Sequence, residues 1–490
     1  MSHAATTSSH DGRASNPLVG LRFYIDSLGC AKNLVDSEAT LGILLSAGLE
    51  RSATPEQAEL LLVNTCGFLE AAREESVQRI LELAQLKAYG RARLLAVLGC
   101  LVSRAPEELA EAIPEVDVWL PAGAHAELDV RLRHILAARP ASPLQLATDR
   151  SGSGRAPLGA FAGFGARVLM TPSHTAYLKI SEGCSNTCSF CSIPLMRGTQ
   201  RSRSIESLVR ESEGLAACGV RELHLVAQDL THYGFDLPGR PDLLDLVRAL
   251  AGVDGIEWLR LLYAHPSHFT PRMLQHLFET PKVVPYLDIP VQHASARILR
   301  AMRRPYTPAR VRAQLHALRS RQPEITLRTT VIVGFPGETE VEFGKLLRFV
   351  EEMRFDRLGV FAYSREPGTP AFDLRGRPRR HTVARRMHEL VELQLHLAGQ
   401  RSAQRVGTRT RVLVDCRLDA AAMAAEAGGA CARGAVAVGR SAAEALDIDG
   451  AIYLDGDVGV LEPGTFVDVE ITRADVYDLR GRLLRAPSNA

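Results

Sequence analysis

Long apolar runs are missing from this sequence. The longest uninterrupted one, Leu94 to Val102, contains a glycine and a cysteine and falls far short of the about 20 residues a bilayer-spanning helix requires. No segment is therefore expected to cross a membrane. The opening MSHAATTSSHDGRASNP lacks the apolar stretch of a secretory signal and reads as a solvated tail, so a cytoplasmic location is expected. Excess charge is missing too: 58 Lys and Arg stand against 56 Asp and Glu, which argues against a protein whose main work is gripping bare nucleic acid. Cysteine is scarce and odd in number, nine in 490 residues, and that excludes a disulfide scaffold. What remains is 46% hydrophobic and 23% charged, enough for ordinary folded cores.

The length divides into three folded segments. After a tail over residues 1–20, residues 21–148 alternate strand and helix patterns: LRFYIDSLG, AELLLVNTCG and RARLLAVLGC as strands, with helical stretches between them. That βαβαβ order predicts a Rossmann-like parallel α/β domain. Residues 149–173, which include SGSGRAPLGAFAGFGA, read as a flexible linker. Residues 174–400 hold six strand candidates separated by helices: TAYLKISEGC, RELHLVAQD, WLRLLYAH, PYLDIPVQ, LRTTVIVGF and RLGVFAYS. The pattern predicts a (β/α) barrel, complete or partial, with a doubly wound sheet as the alternative. Residues 401–490 switch to short alternating strands and predict a small antiparallel β-barrel, interrupted by an Ala-rich loop, CRLDAAAMAAEAGGACARG.

Six of the nine cysteines form two sets of three. GCSNTCSFCSIP places Cys184, Cys188 and Cys191 at C-x3-C-x2-C spacing, just after the first strand of the barrel-like segment. Gly183, Asn186 and Pro194 favour a wrapped loop on which three thiolates converge. A closed zinc site wants four ligands, and no fourth Cys or His stands nearby at ligand spacing. A four-iron four-sulfur cluster held by three cysteines keeps one iron open. A zinc knuckle with a distant fourth ligand, or clustered structural thiols, are the alternatives. Cys30, Cys66 and Cys100 each end one of three consecutive predicted strands, in SLGC, NTCGF and VLGC, with a glycine beside each. Adjacent parallel strands bring their carboxyl ends to one edge, so these thiolates are expected to share a second centre. Buried structural cysteines, or a redox pair with one cysteine left over, are the competing readings.

The CxxxCxxC loop after the first strand, with Phe190 before the third cysteine, resembles the radical S-adenosylmethionine superfamily. SLGCAKNLVDSE, NTCGF, the glycine–cysteine at Cys100 and the terminal β-barrel resemble the methylthiotransferase family over nearly the whole chain after the tail. The resemblance implies two four-iron four-sulfur clusters: a radical-generating one on Cys184, Cys188 and Cys191, and an auxiliary one on Cys30, Cys66 and Cys100. It implies that S-adenosylmethionine chelates the open iron and yields a 5′-deoxyadenosyl radical, and that the terminal barrel is TRAM-like. No catalytic side chain beyond the cluster ligands is implied. An electron donor such as flavodoxin or ferredoxin is.

S-adenosylmethionine would lie across the strand ends. VIVGFPGE offers Gly334 for close backbone approach; Gln228 and Asp229 could meet the methionine moiety, and Gln292 and Ser295 the ribose. Plain structural roles compete for each. Arg197, Arg201, Arg203, Arg297, Arg300, Arg303 and Arg304 form local basic patches, either solvated faces or contacts to a ribonucleoprotein.

The substrate is an aspartate of a ribosomal protein or an adenosine of transfer RNA. From Arg401 to Ala490 there are 11 Lys and Arg against 13 Asp and Glu, and an RNA-gripping barrel would be basic. KISEGCSNTCSFCSIPLMRG, YLDIPVQHAS, LRTTVIVGFPGETE and ADVYDLRGRL resemble the branch of the family that methylthiolates the β-carbon of an aspartate in small-subunit ribosomal protein twelve. Nucleic-acid contact would then be secondary. Ala31 for the usual proline, Ser192 for an aliphatic residue, and the Ala-rich loop depart from that pattern. A non-catalytic metal-bearing module that docks on ribosomes or RNA is the remaining alternative.

Overall fold

The computed structural model describes residues 18–137, 167–418, 429–456, 459 and 461–484. Most of the expected tail, most of the expected linker and the middle of the Ala-rich insertion lie outside these residues. The chain forms two compact units. One comprises Met1–Gly29, Asp36–Gly67 and Ala72–Val168, as far as these are described; the other comprises Cys30–Val35, Phe68–Ala71 and Leu169–Ala490.

The first unit is built on a parallel sheet of β1 (Arg22–Ser27), β2 (Glu50–Arg51), β3 (Leu60–Thr65), β4 (Leu94–Gly99) and β5 (Val118–Pro121), in the order β2-β1-β3-β4-β5. β3 and β4 are buried along their whole length, which is why LLLVNT and LLAVLG read as unbroken apolar runs. Leu61, Val63, Leu95 and Val97 pack against Ile80 and Leu83 of the helix Glu70–Tyr89. The edge strands β2 and β5 escaped the sequence reading, because two and four residues are too few for a period. Pairing of Ser27 with Asn64 and of Thr65 with Gly99 aligns the carboxyl ends of β1, β3 and β4. Leu18 is fully buried, so the expected tail ends before it.

In the second unit six parallel strands form one open sheet: β6 (Thr175–Lys179), β9 (Glu222–Val226), β10 (Trp258–Leu261), β11 (Val283–Asp288), β12 (Thr326–Val333) and β13 (Arg357–Ala362). Between β6 and β9 lies a two-stranded ribbon of β7 (Ser181–Glu182) and β8 (Arg201–Ser202). The sheet order β13-β12-β11-β10-β9-β6 runs monotonically with the chain, so this is a partial barrel rather than a doubly wound sheet, whose order would reverse. Helices cover it, several of them started by side-chain caps. Asp242 and Asp245, for example, form a reciprocal cap on Leu243–Ala251.

The same unit ends in a closed barrel of β14 (Arg409–Arg417), β15 (Ala437–Ser441), β16 (Ile452–Asp455), β17 (Phe466–Ala474) and β18 (Leu479–Leu483). It is not purely antiparallel as the sequence pattern suggested. β16 and β18 pair in parallel, because β17 lies on the far side of β18 in the closure β14-β15-β16-β18-β17. Gly439 is required in β15, where a Cβ would lie 2.5 Å from the Leu413 carbonyl oxygen. Gly429–Ala432, expected as loop, is a helical turn with Cys431 buried in it. Cys218 is exposed at the C-cap of Ile205–Ala217. No helix among the described residues is long and apolar enough to cross a membrane.

Candidate active site

The loop bearing Cys184, Cys188 and Cys191 is gathered at its neck by the β7–β8 ribbon, where Ser181 pairs with Ser202 and Glu182 with Arg201. Gly183 sits there at φ +76°, and a Cβ would lie 2.3 Å from the Thr199 carbonyl oxygen, so no other residue fits. The Cys184 amide donates to the Gly198 carbonyl at 3.0 Å, and the Cys191 amide to that of Cys188 at 3.3 Å, wrapping the chain as GCSNTC anticipated. Ser189 pins the loop to the helix Ala296–Ala301, its amide donating to the Met302 carbonyl and its hydroxyl to that of Ala301.

Two side chains donate to the thiol sulfurs. Asn186 Nδ2 lies 3.5 Å from Cys184 Sγ, and Arg304 Nη1 lies 3.4 Å from Cys188 Sγ. Burial pushes the Cys191 thiol up to about 12, with Cys188 adding to the shift, and burial raises Cys184 as well. Three crowded thiols of this kind ionise together only when a cationic centre compensates them.

Arg197, Arg203 and Arg304, read from sequence as basic patches, are internal. Arg197 bridges Glu182 and Asn33, Arg203 pairs with Glu211, and Arg304 also donates to the Tyr306 hydroxyl and the Pro290 carbonyl. The surface reading is thereby corrected for these three. Burial opposes ionisation of Glu182, but Arg197 and Lys179 outweigh it and hold the carboxyl well below its ordinary range.

The strand ends carry the other expected residues, and the structure separates them. Gln228 donates from Nε2 to Glu182, while its Oε1 is buried without a partner. Gln292 Oε1 and Ser295 Oγ are likewise buried and unpartnered, and so are Ser181 Oγ, His265 Nε2 and His293 Nε2. All six belong to segments that follow strand carboxyl ends. Asp229 is different: one oxygen accepts from the Thr231 amide and hydroxyl, the other from Asn186 at 2.8 Å, and His268 Nδ1 lies 2.8 Å away. Burial opposes its ionisation, but the bond from His268, the electrostatic pull of His265 and His268, and the bond from Thr231 together outweigh it. Asp229 is thus a holder of Asn186 rather than an open acceptor.

Gly334 has φ +78°, its amide donates to Glu338, and a Cβ would strike Val383 at 2.6 Å. It serves a strand-to-helix turn against the long helix Arg380–Ala403. Phe190 packs with Ile298, Met302, Phe335 and Ala371.

Of the second triad, Cys66 directly follows β3, while Cys100 opens a short helix, Cys100–Arg104. Gly67 has no room for a side chain: a Cβ would lie 2.8 Å from the Cys100 carbonyl oxygen, which brings the chain after Cys66 against Cys100. Ser76 Oγ bonds both the amide and the carbonyl of Cys66 at 3.1 Å. Cys30 does not end β1 as expected. It lies three residues beyond Ser27, at the head of the helix Ala31–Ser46, and groups with the second unit. Burial raises its thiol, but Lys32 and Arg197 prevail and leave it below the ordinary value.

Asn186, Glu182, Arg304, Lys32 and Tyr263 were not legible as a constellation. Several of their partners lie far along the chain, as with Cys188 and Arg304, 116 residues apart, or Asn186 and Asp229, 43 apart.

A three-cysteine loop on a parallel partial barrel defines the radical S-adenosylmethionine class, and residues 178–350 match the Radical SAM superfamily. Residues 22–121 match the Uncharacterized protein family UPF0004, and residues 406–484 the TRAM domain. The chain is 45% identical to a ribosomal protein uS12 methylthiotransferase RimO of Anaeromyxobacter sp. (strain Fw109-5), covering 96% of this chain and 94% of the relative. It is 42% identical to the Geobacter sulfurreducens protein of the same name, over 94% of this chain and 97% of that one. The chain belongs to the ribosomal protein uS12 methylthiotransferase RimO family. Among solved structures, the radical S-adenosylmethionine methyltransferase TsrM from Kitasatospora setae shares the fold, with a TM-score of 0.53 at 15% identity over 72% of this chain and 74% of that one.

Proposed function

We propose that the protein is a radical S-adenosylmethionine methylthiotransferase that places a methylthio group on the β-carbon of an aspartate in ribosomal protein uS12. One observation carries the chemistry: a wrapped loop of three thiols stands among strand ends whose buried polar atoms lack partners. In a finished core such atoms are bonded, so a set of them marks where a polar ligand belongs. The names of the relatives support the substrate.

The donor set fits the groups the family implies. Cys184, Cys188 and Cys191 would hold a four-iron cluster with one open iron, and Cys30, Cys66 and Cys100 the auxiliary one. Ser181, Gln228, Gln292 and Ser295 would bond S-adenosylmethionine. Bound there, cluster and S-adenosylmethionine supply a carbon-centred radical able to take hydrogen from an unactivated carbon. The chain's part is to orient and to shield. Asn186 and Arg304 donate to the Cys184 and Cys188 sulfurs, Asp229 and Tyr306 fix those donors, and Gly67 permits close backbone approach. Phe190, the residue before Cys191, anchors the loop against Ile298, Met302, Phe335 and Ala371, and Gly334 shapes the turn after β12. The electron comes from a flavodoxin or ferredoxin in the cytoplasm. The mildly acidic terminal barrel suits a basic ribosomal protein, with RNA contact secondary.

Anaerobic reconstitution should load about eight irons per chain, and Cys184→Ala should reduce this to about four and abolish 5′-deoxyadenosine release. The enzyme should add a methylthio mass to uS12. A gain on transfer RNA alone would overturn the substrate, and zinc in place of iron the whole reading.

A further inference from the structure

The geometry points to Lys32 as the group that recognises the carboxylate of the substrate aspartate, an inference that rests on the function proposed above. Lys32 is the second residue of the helix Ala31–Ser46 and is only 8% exposed. Its ammonium lies 3.4 Å from the centre of the Tyr263 ring, and among the described residues it has no ion pair with a carboxylate. A ring face satisfies such a cation only in part and leaves N–H donors to spare. Long cations are rarely buried unpaired, because desolvation is costly unless a counter-charge arrives.

The charges around it leave room for an anion. Asp288, at the end of β11, pairs with Arg328 at 3.1 Å and accepts the Tyr263 amide at 3.3 Å, so Lys32 has only a share of its charge. Arg197 shares Glu182 with Lys179, at 2.8 and 2.6 Å. Lys32, Lys179, Arg197 and Arg328 thus stand against two carboxylates, Glu182 and Asp288, with the Cys30 thiol as the other neighbour of Lys32, so a further carboxylate is favoured here.

The position is that of a reacting group. Tyr263 follows β10, between Gln228 after β9 and Gln292 after β11, in the middle of the row of unpartnered polar atoms. Tyr263 and Gln292 hold φ of +70° and +60°, conformations that residues other than glycine seldom adopt and that cluster at ligand sites. In the proposed reaction the β-carbon that loses hydrogen bears the carboxylate. A cation that fixes the carboxylate therefore fixes which hydrogen faces the radical.

The test uses the reconstituted holoenzyme and two uS12 loop peptides, one with the target aspartate and one with asparagine in its place. Methylthio gain is followed by mass, with iron content and the cluster EPR spectrum read in parallel. Wild type should favour aspartate by about 30-fold or more in kcat/KM, a preference Lys32→Met should erase mainly through KM and Lys32→Arg largely restore. Iron content and EPR spectrum should stay unchanged in both variants. A Lys32→Met enzyme that keeps the aspartate preference overturns the inference. So does one that loses iron or alters the spectrum, since Lys32 would then serve the cluster at Cys30. Wild type that modifies transfer RNA and neither peptide overturns the proposed function along with it.

Discussion

The two faces of the six-stranded sheet bury polar groups differently. On the amino-terminal side, where the terminal barrel docks, carboxylates and cations meet within the chain. Glu222 lies 2.8 Å from Arg260, 2.7 Å from Arg440 and 3.0 Å from His224. Asp415 accepts from Arg440 at 2.8 Å and faces His174 at 2.9 Å, and the Tyr286 hydroxyl donates to Asp449 at 2.7 Å. Burial opposes ionisation of Glu222, but Arg440, His224 and Arg260 hold it well below the ordinary range. Ring nitrogens of His174 and His224 are left over there, and on the carboxyl side Ser181, Gln228, Gln292, His293 and Ser295 keep atoms without partners among the described residues. A polar network closed within the chain is architecture, whereas one left open awaits a ligand.

The largest effect that would break this comparison lies on the closed side. Arg440→Met leaves Glu222 and Asp415 short of a partner in a region almost free of water. It should cost about 3–5 kcal/mol of stability, read by urea unfolding. Iron loading should be unchanged. If loading fails while stability holds, the two faces are not separate in role.

Much of this plan is legible in the sequence. The six barrel strands stand out because each is a short apolar run bounded by turn residues, and the cysteine loop because its ligands lie within eight positions. The monotonic strand order settles between barrel and doubly wound sheet, which periodicity alone cannot do. What stays hidden depends on distant partners. Arg203 looks like a surface charge until Glu211, on the helix after β8, meets it. Cys30 looks like a strand end, yet the chain runs three residues past β1 before reaching it. The parallel pairing of β16 and β18 leaves no local mark, since parallel and antiparallel edge strands share one alternation.

Acid sharpens the comparison next. Burial, the leading cause in both cases, pushes His265 down to about 2 and His293 to about 3, so both stay neutral in the folded chain. Unfolded, each protonates near 6.5. Their contribution to stability is fully present above that pH and is lost as pH falls toward the folded values, because the unfolded chain then binds more protons. His224, also lowered by burial, adds the same sign on the docking side. Carboxylates such as Glu222 and Asp415 act later: their stabilisation is present above about pH 4 and fades below it. His293→Asn can keep an acceptor for the Ala294 and Ser295 amides, and should remove about 1.4 kcal/mol per pH unit from the slope between pH 6 and 4. An unchanged slope would mean that His293 is charged in the fold.

The smallest effect separates the faces most finely. Ser295 begins the helix Ala296–Ala301 without making a side-chain cap, and its hydroxyl is buried with no partner. Removing it takes away a desolvated atom that gains nothing in the ligand-free chain. Ser295→Ala should therefore leave stability within about 0.5 kcal/mol, or raise it, while KM for S-adenosylmethionine rises about fivefold, the worth of one neutral hydrogen bond. Thr270 is the matched control: its side chain caps Pro271–His276 by accepting the Met273 amide at 3.1 Å. Thr270→Ala should cost about 1 kcal/mol of stability and leave that KM alone. If the two hydroxyls trade outcomes, the unpartnered atoms at the strand ends are packing accidents, and the site loses its strongest physical mark.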